Sequence, residues 1–138
     1  MSIKESGEMY LETILILSQN IKNVRSIDIV DYRGFSKPSV CRAVALLKKD
    51  GFILVDKNGF ITLTDSGKSI AEKIYERHIV LTSVLVNLGV PEMTAAKDAC
   101  KIEHDLSDET FECIKGHITD YGKNAKLIQK IHDKNYAV

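Results

Sequence analysis

The sequence predicts a mainly α-helical protein in two parts: three helices and a two-stranded β ribbon over residues 1–68, then helices alone over residues 69–138. Three observations carry this division. Apolar residues in ESGEMYLETILILSQN (5–20) recur closer to every 3.6 positions than every second one, as on a helix. FILVDKNGFITLT (52–64) sets two short runs rich in β-branched and aromatic residues around a DKNG turn, as in a hairpin. After Gly67 no breaker interrupts DSGKSIAEKIYERHIVLTSVLVNLG (65–89) until Gly89, which predicts one long helix.

The individual elements follow from local chemistry. Asn20 stops the first helix. Ser26 is expected to cap a short second helix, IDIVDYRG, that Gly34 ends. Ser36 caps a third, with Pro38 tolerated in its first turn because backbone N–H groups there lack an intrahelical partner. That helix runs through VCRAVALLKKD to Gly51. Asn58 and Gly59 are expected to supply the positive φ angles of a tight hairpin. A short helix, a tight turn, a longer helix and then a ribbon describe a winged helix-turn-helix. In the second half, Pro91 opens a short element, Ser107 starts a helix over TFECIKGHITDYG, and KNAKLIQKIHDKNYAV closes as a weak helix or frayed end. The run IVLTSVLVNL is almost too apolar for a monomer's surface, which points to a dimerisation domain.

Composition narrows the function. The 138 residues hold 19 basic and 19 acidic side chains, so no global charge announces nucleic acid or membrane. Local charge differs: residues 22–68 contain nine Lys/Arg against five Asp, a modest electrostatic footprint for phosphate contact. Within it, Ser36, Lys37, Pro38, Ser39 and Arg42 stand at the start of the reading helix, where side chains can reach base edges or phosphates. Ser36 can serve equally as a helix cap. Three scattered cysteines, Cys41, Cys100 and Cys113, without a CxxC pair or a leading signal peptide fit a reduced, cytoplasmic setting. The apolar runs are too short to cross a bilayer.

DACKIEHDLSDE (98–109) places Cys100, Glu103 and His104 at i, i+3 and i+4, on one face if the segment is helical. A helix cysteine is usually a small buried hydrophobe. Sulfur, nitrogen and oxygen donors together also suit a borderline divalent metal.

Together GEMYLETIL (7–15), SKPSVCRAVALLKKDGF (36–52), LTDSGK (63–68), YERH (75–78) and DACKIEHDLS (98–107) resemble the diphtheria-toxin-repressor family of metal-dependent transcriptional regulators. The match covers nearly the whole chain in order. The resemblance implies a homodimer with a DNA-binding domain at 1–68 and a metal-binding and dimerisation domain at 69–138, in the two-domain form lacking an SH3-like domain. It implies operator binding on loading with Fe2+ or Mn2+, primary ligands at Met9, Cys100, Glu103 and His104, and no enzymatic activity. Met and Cys in this set look iron-type, and their softer donors favour Fe2+ over Mn2+ while also admitting Zn2+, Co2+ or Ni2+.

Departures from the family pattern concern a second site. His78 matches a ligand there and Glu12 matches a carboxylate used by manganese-type members, but Thr82 and Ala96 stand where iron-type members have ligands. The resemblance thus implies a mixed site of Glu12 and His78, sharing Glu103 or Cys100. Rival readings are a Mn2+- or Zn2+-responsive regulator of the same fold, and a thiol-based redox switch with Cys100 activated by His104.

Overall fold

A computed structural model of the chain describes residues 4–118. Its elements are α1 (Glu5–Asn20), α2 (Ser26–Arg33), α3 (Lys37–Lys49), β1 (Ile53–Val55), β2 (Ile61–Leu63), α4 (Asp65–Asn87), α5 (Glu92–Ile102) and α6 (Asp108–Gly116). They form two compact units, Met1–Lys73 and Ile74–Val138, with the division inside α4. The helix expected over 123–138 lies outside the described residues.

In the first unit, α1 has the bounds that its apolar period predicts, yet every residue from Tyr10 to Leu17 is buried. A helix covered on all sides must satisfy its polar residues internally. Thr13 does so by donating to the Met9 carbonyl at 2.8 Å and accepting from Arg33 Nε at 2.7 Å. Tyr10 packs edge-on against Phe35, with ring centroids 5.8 Å apart. Burial pushes its hydroxyl above the ordinary tyrosine value, against the opposing pull of Arg42 and Arg33.

The second helix begins one residue earlier than its sequence suggests. Arg25, not Ser26, occupies the N-cap. Asp28 in the first turn decides this, because its carboxylate accepts the Arg25 backbone N–H at 2.8 Å. Gly34 ends α2 in the left-handed region, donating to the Val30 carbonyl at 2.7 Å. Ser36 caps α3 as expected, its Oγ accepting from Ser39 N at 3.3 Å.

The wing is antiparallel, pairing Ile53 with Leu63 and Val55 with Ile61. Val24, ahead of α2, forms an isolated bridge to Ile61, tying the ribbon to the helical part. The hairpin differs from the expected Asn58–Gly59 turn, since only Gly59 has positive φ. Asp56 is the cause. Its side chain accepts from the backbones of Asn58 and Phe60 at 2.8 and 2.9 Å, and its carbonyl from Gly59 at 3.0 Å. The result is a three-residue loop with glycine at its left-handed end.

The joint between wing and α4 explains LTDSGK. Thr64 Oγ1 donates to the Gly51 carbonyl at 2.7 Å and accepts from Gly67 N at 3.2 Å. A Cβ on Gly67 would stand 2.0 Å from the Phe52 carbonyl oxygen. Only glycine lets the helix start so close to that strand end.

In the second unit, α4 continues to Asn87, and Gly89 (φ 100°) closes it while Val90 N donates back to the Leu85 carbonyl at 3.0 Å. Pro91 is the N-cap of α5, whose buried residues are Ala95, Ala96 and Ala99. Ser107 caps α6 through Thr110 N at 3.1 Å, and Phe111 is its buried residue. No helix among the described residues is long and apolar enough to cross a membrane.

Gly67→Ala should force the Phe52 carbonyl aside and destabilise the protein by about 1–3 kcal/mol, the usual cost of overpacking. Urea unfolding measures it, and an unchanged midpoint would contradict the close approach.

Candidate metal centre and reading helix

The second unit gathers three ligand-type atoms in one place. His78, Cys100 and Glu103 each offer an atom lying within 4.8 Å of the others. His78 comes from α4, Cys100 from the last turn of α5, and Glu103 from the residue that caps α5. Glu103 is wholly buried and His78 nearly so, at 0% and 2% exposure. Their contact is direct, His78 Nδ1 lying 2.8 Å from Glu103 Oε2. His104 Nε2 stands 3.5 Å from the other oxygen, Oε1. One carboxylate therefore lies between two imidazoles, beside a thiol.

Helix α5 ends at Ile102, so Glu103 and His104 leave the regular helix within the expected motif. Glu103 keeps near-helical dihedrals (φ −58°, ψ −25°), which holds its side chain near that of Cys100. Thr82 Oγ1 donates to the His78 carbonyl at 2.7 Å, and Ala96 is buried.

Met9 and Glu12 belong to the first unit. Met9 is half-buried and Glu12 is buried at 1% exposure. Glu12 Oε1 lies 3.5 Å from Arg33 Nη2, while Arg33 Nε holds Thr13. A buried carboxylate needs such a counter-charge. Arg33 gave no sequence signal of this role beyond its place at the end of α2.

Arg77 was equally hidden. It sits between two residues of the YERH motif, but its helix position, with Ile74 and Leu81 at i−3 and i+4, puts it on an apolar stripe. It is buried at 4% exposure. Its guanidinium donates to the carbonyls of Glu103 (3.1 Å) and Leu106 (2.6 Å), pairs with Asp108 and lies 5.3 Å from the centre of the Phe111 ring.

On the reading helix, Ser36, Lys37, Pro38 and Arg42 are exposed and Ser39 is half-buried. Ser36 acts as the cap and also donates to Ser39 Oγ at 2.8 Å; Arg42 Nη2 reaches the same oxygen at 3.4 Å. Near the wing tip, Arg25 donates to the Asn58 carbonyl and covers the Phe60 ring at 5.3 Å. Arg25 fixes the loop that carries Lys57.

A winged helix-turn-helix followed by a cluster of nitrogen, sulfur and oxygen donors is the combination expected of a metal-dependent transcriptional regulator. Residues 64–124 match the iron-dependent repressor family's metal-binding and dimerisation domain. An HTH-type transcriptional regulator of Methanocaldococcus jannaschii is 33% identical over 115 residues, covering 82% of this chain and 92% of the relative. The transcriptional regulator MntR of Salmonella typhimurium is 30% identical over 123 residues, covering 89% and 78%. A solved manganese-dependent transcriptional repressor in complex with manganese has 28% identity and a TM-score of 0.72, covering 80% of this chain; the chain spans 51% of that structure's length. The chain belongs to the diphtheria-toxin-repressor and MntR family of metal-dependent transcriptional regulators, which are not enzymes.

Because Co2+ shows thiolate ligation as near-ultraviolet charge-transfer absorption, Cys100→Ser should abolish that band, and His78→Ala should weaken Co2+ binding by about tenfold or more. An unchanged band in Cys100→Ser would remove the thiol from the site.

Proposed function

We propose that the protein is a cytoplasmic homodimeric repressor that takes Fe2+ as corepressor and binds operator DNA when loaded. The observation that carries the reading is the His78–Cys100–Glu103 cluster, its imidazole and carboxylate buried and its thiol half-buried. Its donors fit a divalent transition metal: a neutral imidazole, a thiolate once deprotonated, and a carboxylate already desolvated. His104, beside Glu103, adds a second imidazole to the proposed set. Met9 and Glu12 are further proposed donors, on their match to the family pattern. The metal would supply a concentrated positive charge that holds the donors of the second unit in one arrangement.

The preference for iron rests on softness. Sulfur at Met9 and Cys100 replaces hard oxygen, and among the first-row divalent metals Mn2+ gains least from the exchange. A second reading, response to Mn2+, is favoured by the relatives named MntR and by the structural neighbour described with manganese. Zn2+ would also accept a Cys and His set. Dimerisation is supported by Leu88, Met93 and Ile102, which the second unit leaves exposed.

The test is anaerobic operator binding at fixed salt, with Fe2+, Mn2+ and Zn2+ titrated in parallel. Fe2+ should act at lower concentration than Mn2+, and Cys100→Glu combined with Met9→Asp should reverse that order. An unchanged order in the double variant overturns the assignment of these donors.

On the reading helix, Arg42 is proposed to pair with a guanine in the major groove and Lys37 to contact phosphate, while Pro38 packs on a thymine methyl. Ser36 and Ser39 are the remaining proposed contacts. Arg42→Ala should cost about 1–3 kcal/mol at one base position and relax specificity there. A loss spread evenly over all sequences would mark Arg42 as a phosphate contact instead.

A further inference from the structure

We propose that Arg77 is the positioning residue of the metal centre, setting the turn from which Glu103 and His104 project. The proposal rests on the reading of the cluster as a metal site. Residues 103–107 join α5 to α6. A turn there has loose carbonyls, because the last C=O groups of α5 have no partner further along the helix. Arg77 takes up one at each end: the Glu103 carbonyl and the Leu106 carbonyl, both on Nη1 at 3.1 and 2.6 Å. Its other arm, Nη2, pairs with Asp108, the first residue of α6. The Phe111 ring lies 5.3 Å from the guanidinium. One buried cation therefore fixes both ends of the turn and the start of the next helix.

Two features make this more than structural glue. Arg77 immediately precedes His78, so the helix residue that fixes the turn is adjacent to the one that meets Glu103 from α4. The guanidinium also binds the backbone of Glu103 while His78 binds its side chain, so main chain and carboxylate of one ligand are set by consecutive residues. Lysine cannot replace it, because an ammonium is a point charge without the planar fork that serves two carbonyls and a carboxylate together. A positive group against helix-end carbonyls is also the favourable sense of the helix dipole. Groups that orient ligands without touching the metal commonly change metal affinity by about 10- to 100-fold when removed.

The experiment titrates the purified 138-residue chain with Co2+, reading affinity by competition with a chromophoric chelator and ligand geometry by the visible d–d spectrum. Hydrogen exchange at residues 103–106 and the metal-free melting temperature are followed alongside. Arg77→Lys should lower Co2+ affinity about 10- to 100-fold and alter the d–d bands while exchange in the turn quickens. Asp108→Asn, at a side chain 71% exposed, removes the charge from one of the three anchors and leaves the buried core untouched. It should quicken exchange in the same turn and lower affinity severalfold. Wild-type affinity and spectrum in Asp108→Asn together with quickened exchange would overturn the proposal, as would an unaltered spectrum in folded Arg77→Lys. Failure of the wild-type chain to bind Co2+ would instead overturn the metal reading itself, and this assignment with it.

Discussion

A carboxylate sealed from water sets the terms for the second unit. Desolvating an ionised Glu is costly unless a partner meets it with good geometry. Glu103 meets His78 at 2.8 Å, across 25 residues of sequence. That contact ties α4 to the turn after α5, because separating the two would break a hydrogen bond sealed from water. A purely structural core would gain by replacing such a pair with apolar side chains of similar volume. Its presence beside a thiol and a second imidazole is what supports the proposed metal site.

The first unit solves the same problem differently. Glu12 is buried in a helix covered on all sides, and Arg33, from the end of α2, serves both it and Thr13. The arginine thereby links the core helix to the residue just before Gly34, where the chain turns toward the reading helix. Gly67 and Thr64 perform the corresponding task at the wing, letting α4 begin against the Phe52 carbonyl. Both joints use polar groups and tight approach rather than a larger apolar surface.

Much of this was legible in the residues. The apolar period over 5–20, the Ser36 cap and the breakerless run after Gly67 led to helices whose bounds the structure matches closely, whereas the helix that Ser107 caps ends at Gly116 instead of running on past it as expected, glycine being a poor helix former. Caps failed where two candidates competed: Ser26 carries a capping hydroxyl, but Asp28 three residues after Arg25 draws the start back by one. The hairpin failed for a similar reason, since Asp56 rather than Asn58 organises the loop. Local spacing flagged Cys100, Glu103 and His104 because all lie within five residues. It could not place His78 against Glu103, and His78 entered only through the family resemblance. The partners Arg33 and Arg77 were not legible, because a basic residue on a helix reads as solvated until tertiary contacts show otherwise.

If one metal ion holds an arrangement of the protein that suits operator DNA, the DNA must favour the metal in return, by the same factor. Reciprocity separates a regulatory site from a merely structural one, since a structural ion binds alike in both states. The most direct measurement is the Fe2+ affinity of the chain, taken anaerobically at one salt concentration, without DNA and with saturating operator duplex. The account predicts tightening of about 5- to 150-fold with DNA present, equal to the factor by which Fe2+ tightens operator binding. Equal Fe2+ affinity in the two samples would contradict it.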